Sequence, residues 1–205
     1  MNIYVWNNEW LPGENTIAYY PLTSTSTVND MKTSGTKYNL TNYNNVQFWT
    51  YHWVDCANFS GNSMILYNSS NPSISWDFTL NVRCWVNNTS STVQRVLQIW
   101  QFAGQNIYIW VANWYIDWTN LTVSPGQRNN IIYSRSWSSL WLYVNSNWIT
   151  VSNTVNWTWL YIGRSDGNQF SFYWNISEAI IEDKARTAKE VQNYYNSTKA
   201  NYWIQ

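Results

Sequence analysis

Apolar and polar residues alternate along most of this chain. Between Asp77 and Val86 the apolar positions are Phe78, Leu80, Val82, Cys84 and Val86. A period of two places such a set on one face of a β-strand. The same alternation, rich in β-branched and aromatic residues, predicts strands over residues 16–22, 55–60, 63–67, 93–99, 107–112, 130–134, 140–144, 149–152, 160–162 and 170–173. Shorter strands are expected at 115–117 and 120–123, and a last one at 176–182. Turn signals recur about every 8–12 residues, the spacing of a sandwich or barrel.

One stretch breaks the period. Thr187-Ala188-Lys189-Glu190 is a capping box, with Thr187 as N-cap and Glu190 reaching back to its backbone N–H. Ala188, Val191, Tyr194 and Tyr195 follow at helical spacing. A short C-terminal helix is expected there, packed against the sandwich. Residues 1–15 read as an arm or linker broken at Leu11-Pro12-Gly13, residues 16–196 as one domain, and 197–205 as a tail.

Charge removes several functions from consideration. The chain has 205 residues, with 11 basic and 11 acidic side chains. No basic stripe suits nucleic acid, and no apolar run is long enough to span a membrane. The start, Met1-Asn2-Ile3-Tyr4-Val5, lacks the features of a signal peptide. Charged residues make up only 11%, so Asn, Ser and Thr carry the polarity. A neutral, amide-rich surface suits an extracellular or particle-surface setting. Cys56 and Cys84 could form a disulfide or remain buried free thiols; both alternatives stay open.

Seventeen Trp stand against seven Gly, although glycine normally supplies about 7% of residues. Asn113-Trp114, Asp117-Trp118, Trp137, Asn147-Trp148 and Asn156-Trp157 stand where turns should be. Asn-Gly and Asp-Gly are the expected hairpin dipeptides. Either these Trp form a glycan-stacking surface, or they are glycines encoded by UGA in a lineage that reads that codon as glycine. The second reading is preferred, because it restores an ordinary glycine share and repairs several turns. It predicts that several of Trp114, Trp118, Trp137, Trp148 and Trp157 lie exposed at turns. Trp85 and Trp141, inside strand patterns, read as authentic, and Trp85 should be buried.

The last third carries a family pattern: Leu160-Tyr161-Ile162-Gly163-Arg164, then Phe172-Tyr173-Trp174-Asn175-Ile176-Ser177-Glu178, then the Thr187 capping box. Upstream stand Ile17-Ala18-Tyr19-Tyr20-Pro21-Leu22, Cys56-Ala57-Asn58-Phe59-Ser60-Gly61, Phe78 to Val86, and Leu140-Trp141-Leu142-Tyr143-Val144-Asn145. In this order the motifs resemble the laminin G-like, concanavalin A-like lectin/glucanase domain family over about residues 16–196. Trp174 falls where that family has glycine. The tryptophan that commonly precedes the Leu140 hairpin is absent, and Glu178 alone represents an acidic pair. The resemblance implies an all-β fold: a two-sheet antiparallel jelly-roll sandwich with one short C-terminal helix. It implies binding of glycan or protein on variable loops and often, not always, one structural calcium ion.

Candidate chemistry is sparse. Related glucanases carry two carboxylates on one strand face, about 5–5.5 Å apart. Glu182 and Asp183 point to opposite faces, and Glu178 and Glu182 are four residues apart, so no enzyme is expected. His52 has no nucleophile partner and reads as a surface turn. Asn145, Asn147, Asp166, Asn168 and Gln169 are the candidate ligand-binding residues, on hairpin and loop positions with amide and carboxylate oxygens. Asp30 and Glu178 are the candidate calcium ligands, if the N- and C-terminal segments meet as the resemblance implies. The expected function is a non-catalytic module that recognises a carbohydrate or surface polymer on a cell-surface or phage-tail-type protein. The alternative is a structural domain assembling with neighbouring proteins of an envelope or virion.

Overall fold

The computed structural model describes residues 13–23, 28–60, 65–68, 77–86, 94–100, 107–112, 115–116, 120–137, 139–151, 159–163 and 172–199. Among them lie strands β1 (Thr16–Tyr20), β2 (Thr41–Tyr43), β3 (Gln47–Tyr51), β4 (Val54–Ser60), β5 (Ile65–Asn68), β6 (Phe78–Trp85) and β7 (Gln94–Trp100). The series continues with β8 (Ile107–Ala112), β9 (Tyr115–Ile116), β10 (Arg128–Ser136), β11 (Ser139–Val144), β12 (Asn147–Val151), β13 (Trp159–Ile162) and β14 (Tyr173–Glu182). Helix α1 (Ala188–Lys199) follows.

The strands form two antiparallel sheets, so the expected two-sheet sandwich with one C-terminal helix is the observed fold. The first sheet has the order β12-β11-β10-β6-β14-β4-β3. The second has the order β2-β5-β13-β7-β8-β9. Strand β14 is the hub of the first sheet. One side pairs with β6, while the other pairs with β4 over Tyr173–Ile176 and with β1 over Ala179–Glu182. The pairing with β6 shifts register between Ile176 and Glu178.

Strand alternation sorts side chains into two cores. Leu80, Val82, Ile131, Leu142 and Ile181 face inward and meet Leu66, Leu97 and Ile162 of the second sheet. Truncating one such leucine to alanine typically costs about 2–5 kcal/mol. The intervening residues Ile132, Tyr143 and Ile180 point outward and pack against Val191 and Tyr194 of α1. Both faces of β6 are therefore covered, and all of its residues are buried. This explains Thr79, Asn81 and Arg83 in a buried strand: they alternate with the inner apolar set and lie on the helix side. The Asn81 amide donates to the Tyr194 hydroxyl at 3.1 Å, and the Arg83 guanidinium lies 4.3 Å from the Tyr194 ring centroid.

The helix start follows its sequence. The Thr187 backbone N–H donates to the Glu190 carboxylate at 2.8 Å, and the Glu190 N–H returns a bond to the Thr187 hydroxyl at 3.2 Å. Val191 and Tyr194 are buried, whereas Ala188 is exposed.

Several expectations are corrected. The expected strand at 120–123 forms only an isolated bridge, since Leu121 and Val123 join the core instead of a ladder. Tyr173 belongs to β14 rather than to a separate strand. Strands β2 and β3 were not expected. Asn147-Trp148 is not a turn: the chain reverses at Asn145-Ser146, and Asn147 and Trp148 open β12. Trp85 is buried, at 3% exposure, under Tyr51 and Arg128. Trp137 lies exposed at a turn, and Trp148 is exposed on a strand. Trp114, Trp118 and Trp157 lie outside the described residues. Cys56 and Cys84 are two buried free thiols. Burial raises their pKa values to about 11 and about 12. Among the described residues no helix is long and apolar enough to cross a membrane.

Candidate functional site

The hairpin and terminal candidates fall in different places. Asn145 turns the β11–β12 hairpin at φ 56°. Its side-chain Oδ1 accepts the Asn130 backbone N–H at 2.9 Å, and its side-chain Nδ2 donates to Asn129 Oδ1 at 3.1 Å. The side chain thus staples the hairpin to β10. Asn147 is exposed at the start of β12. Asp166, Asn168 and Gln169 lie outside the described residues.

The carboxylate of Asp30 accepts the backbone N–H groups of Tyr19, Lys32 and Tyr38 at 3.0, 3.1 and 3.0 Å. It ties residues 28–40 to β1. Glu178 sits 3.4 Å from the Arg83 guanidinium and accepts the Tyr194 hydroxyl at 2.9 Å. One carboxylate is surrounded by N–H donors and the other by a cation, so this pair does not fit a calcium ion as it stands. Among the described residues, no three His, Cys, Asp or Glu side chains gather where they could hold a metal.

A groove lies elsewhere, on the outer face of the first sheet beside the N-terminus of α1. Its volume is about 610 Å³. Trp141, Tyr143 and Trp148 form one wall; Asp77, Asp183 and Arg186 are among the residues opposite. The aromatic wall follows from strand register. Leu140, Leu142 and Val144 point inward, so Trp141 and Tyr143 point out. Tyr143 pairs across the hairpin with Trp148, and their ring centroids stand 6.2 Å apart at 33°. Burial raises the Tyr143 phenol pKa, which keeps it a neutral hydrogen-bonding group.

The opposite wall is the connection between β14 and α1, and it is pinned to the sheet. Thr79 donates to the Lys184 carbonyl at 2.7 Å, and Ser134 donates to the Arg186 carbonyl at 2.7 Å. Arg186 forms two bonds to Glu182, at 2.6 and 2.9 Å, and one to Glu190 at 3.3 Å. The Glu182 hydrogen bonds lead in raising the Arg186 pKa. Glu190 also binds Lys184 at 2.9 Å. Burial opposes its ionisation, but the Lys184 and Thr187 bonds outweigh that and bring its pKa to about 2. Asp77 accepts the backbone N–H of Trp137 at 2.8 Å. The groove therefore sets flat apolar rings against fixed polar groups, the composition of a small-ligand site.

Sequence reasoning had not singled out Trp141 and Tyr143 as site residues. The available signal was that both occupy the outward phase of a strand whose inward phase is Leu140, Leu142 and Val144.

No family model matches the chain, and no curated protein matches it by sequence. Solved structures match its shape. Domain 4 of AbnA, an extracellular GH43 arabinanase from Geobacillus stearothermophilus solved with arabinotriose, aligns with a TM-score of 0.61 and 12% identity. That match covers 88% of this chain and 98% of the domain. The binding domain of Paraclostridial Mosquitocidal Protein 1 aligns with a TM-score of 0.70 and 15% identity, over 90% of this chain and 52% of that one. The botulinum neurotoxin serotype D binding domain aligns at 0.66 and 13%, over 90% and 51%. This chain thus spans about half of each toxin binding domain. At such identities the matches establish a shared β-sandwich architecture.

Proposed function

We propose that this chain is a non-catalytic binding module for a carbohydrate or surface polymer, and that the groove walled by Trp141 and Tyr143 is its ligand site. The groove is the observation that carries the reading. A sugar ring offers C–H faces to aromatic rings and hydroxyls to carboxylates and N–H groups, and this groove presents both. The fold it shares with a domain solved with arabinotriose, and with two toxin binding domains, supports the same reading. So do the ordered laminin G-like motifs, on which we propose membership of that family. The proposed setting is a cell surface or a phage-tail-type virion surface. Catalysis is left out because Glu178 and Glu182 are each engaged by an arginine on the helix-covered face.

We propose in addition that the gene for this chain reads UGA as glycine at several tryptophan positions. Trp148 is not counted among them, since it opens β12 rather than a turn and its φ is not positive. The functional test rests on Trp141 and Tyr143, both within β11. A glycan array, run with and without calcium, identifies a ligand, and titration calorimetry compares the chain with Trp141→Ala and Tyr143→Ala. Loss of binding by both folded variants is expected. Unchanged binding in both places the ligand elsewhere, and no binding to any glycan argues against the module.

A second reading is a structural domain that assembles with neighbouring proteins. Strand β3 ends the first sheet among the described residues, with Trp49 exposed on it, and favours this reading, since a sheet edge can accept another strand.

A further inference from the structure

The backbone separates the tryptophans into two kinds. We infer that positions 53, 137 and 174 are glycine positions of this fold, and that the protein made in its own cells carries glycine there. The inference gives residue-level content to the proposed reading of UGA, and it is independent of the glycan site, since none of the three lines the groove.

Trp53 closes the β3–β4 hairpin. Tyr51 pairs with Val54, so His52 and Trp53 are the two central residues of the turn. Their φ values are 47° and 64°. Two successive positive φ angles define a type I′ turn, whose second central position is dominated by glycine. Histidine is among the residues that tolerate the left-handed region, whereas a bulky aromatic there is an outlier. Trp137 opens the central pair of the β10–β11 hairpin, between the paired Ser136 and Ser139, at φ 52°. Both favoured two-residue hairpin turns need a positive φ at that position.

Trp174 lies in β14 opposite Phe59, at φ 154°. L side chains rarely adopt that angle. The only glycines with positive φ among the described residues are Gly35, Gly126 and Gly163. Three tryptophans therefore take as many such positions as glycine does.

The side chains give a second, separate indication. Trp53 and Trp137 are 84% and 81% exposed, so the largest apolar side chain is held in solvent at both turn tips. Trp174 has the opposite fault: its indole N–H is buried with no hydrogen-bond partner, an arrangement that is costly in a native interior. A glycine at each position removes the strained φ, the exposed ring and the orphaned donor together. Trp85 contrasts on every count. Its φ is not positive, it is 3% exposed, and its indole nitrogen is not among the buried atoms left without a partner.

Two measurements test the inference. Peptide mass spectrometry of the protein purified from its source cells is expected to read glycine at 53, 137 and 174; tryptophan at any of them overturns the assignment there. For recombinant protein, thermal melts compare the chain as written with Trp53→Gly/Trp137→Gly/Trp174→Gly and with Trp85→Gly. The triple variant is expected to melt several degrees higher and Trp85→Gly lower. A triple variant that melts at or below the chain as written overturns the claim that these backbones are built for glycine.

Discussion

Tyr194 on α1 donates its hydroxyl to the Glu178 carboxylate of β14 at 2.9 Å, while its ring lies under the Arg83 guanidinium at 4.3 Å. One side chain thus joins the helix to two strands through a hydrogen bond and a cation–π contact. Tyr194→Phe keeps the ring but removes the hydroxyl, which also accepts from Asn81. The buried Asn81 amide loses a partner, and the variant should lose about 1–3 kcal/mol. Urea denaturation with an unchanged slope checks this.

The helix should loosen in acid through Glu190. Its folded pKa of about 2 lies below its ordinary 4.5. A depressed carboxylate pKa contributes stability that is complete above the unfolded value and is lost as pH falls through the folded one. Melting temperature should therefore decline between about pH 4.5 and pH 2, and Glu190→Gln should flatten that part of the profile. Equal slopes in the two proteins would remove Glu190 from the account.

Gly163 cannot become alanine. It has φ 88°, and an added Cβ would fall 2.1 Å from the Phe59 ring. Phe59 is itself fully buried between the sheets. Strain and overpacking should together cost about 2–4 kcal/mol, read as a lower denaturation midpoint.

Cys56 and Cys84 should resist alkylation. Thiolate is the reactive form, and burial holds the thiol pKa values at about 11 and about 12. Iodoacetamide at mildly alkaline pH should leave both unmodified in the folded protein and label both after unfolding, as read by intact mass.

At the groove, Trp141→Ala should weaken a bound glycan by about tenfold or more, the usual effect of removing a buried aromatic anchor. Trp141 also packs against the helix-side core, so a melt taken in parallel separates lost contact from lost fold.

The sandwich was legible because its central strands are amphipathic. In β6, Phe78, Leu80, Val82 and Cys84 mark one face without ambiguity. The capping box at Thr187 marked the helix start for the same local reason. Strands β2 and β3 were missed because they lie at sheet edges and are largely exposed, where no apolar alternation is required. The reversal at Asn145-Ser146 was shifted by two residues because Trp148 resembled a misplaced turn residue; pairing of Val144 with Asn147 settles the register. The groove was not legible. Alternation tells which residues point outward, but where α1 leaves the sheet uncovered depends on tertiary packing. The partners of Asp30 and Glu178 were not legible either, since a sequence shows carboxylates but not the N–H groups and guanidinium that engage them.

The position of β14 has a kinetic consequence. It supplies the partner edges of β1, β4 and β6, yet among the described residues it is the last strand in sequence. On a ribosome, those three strands emerge with their central ladder still missing. Thr16 finds Glu182 only after more than a hundred and sixty residues have been threaded between them. Closing such distant pairs makes folding slow and leaves strand edges open to aggregation meanwhile. The β6–β10–β11–β12 and β3–β4 ladders can form earlier, but the first sheet can be joined into one only after residues 173–182 have emerged.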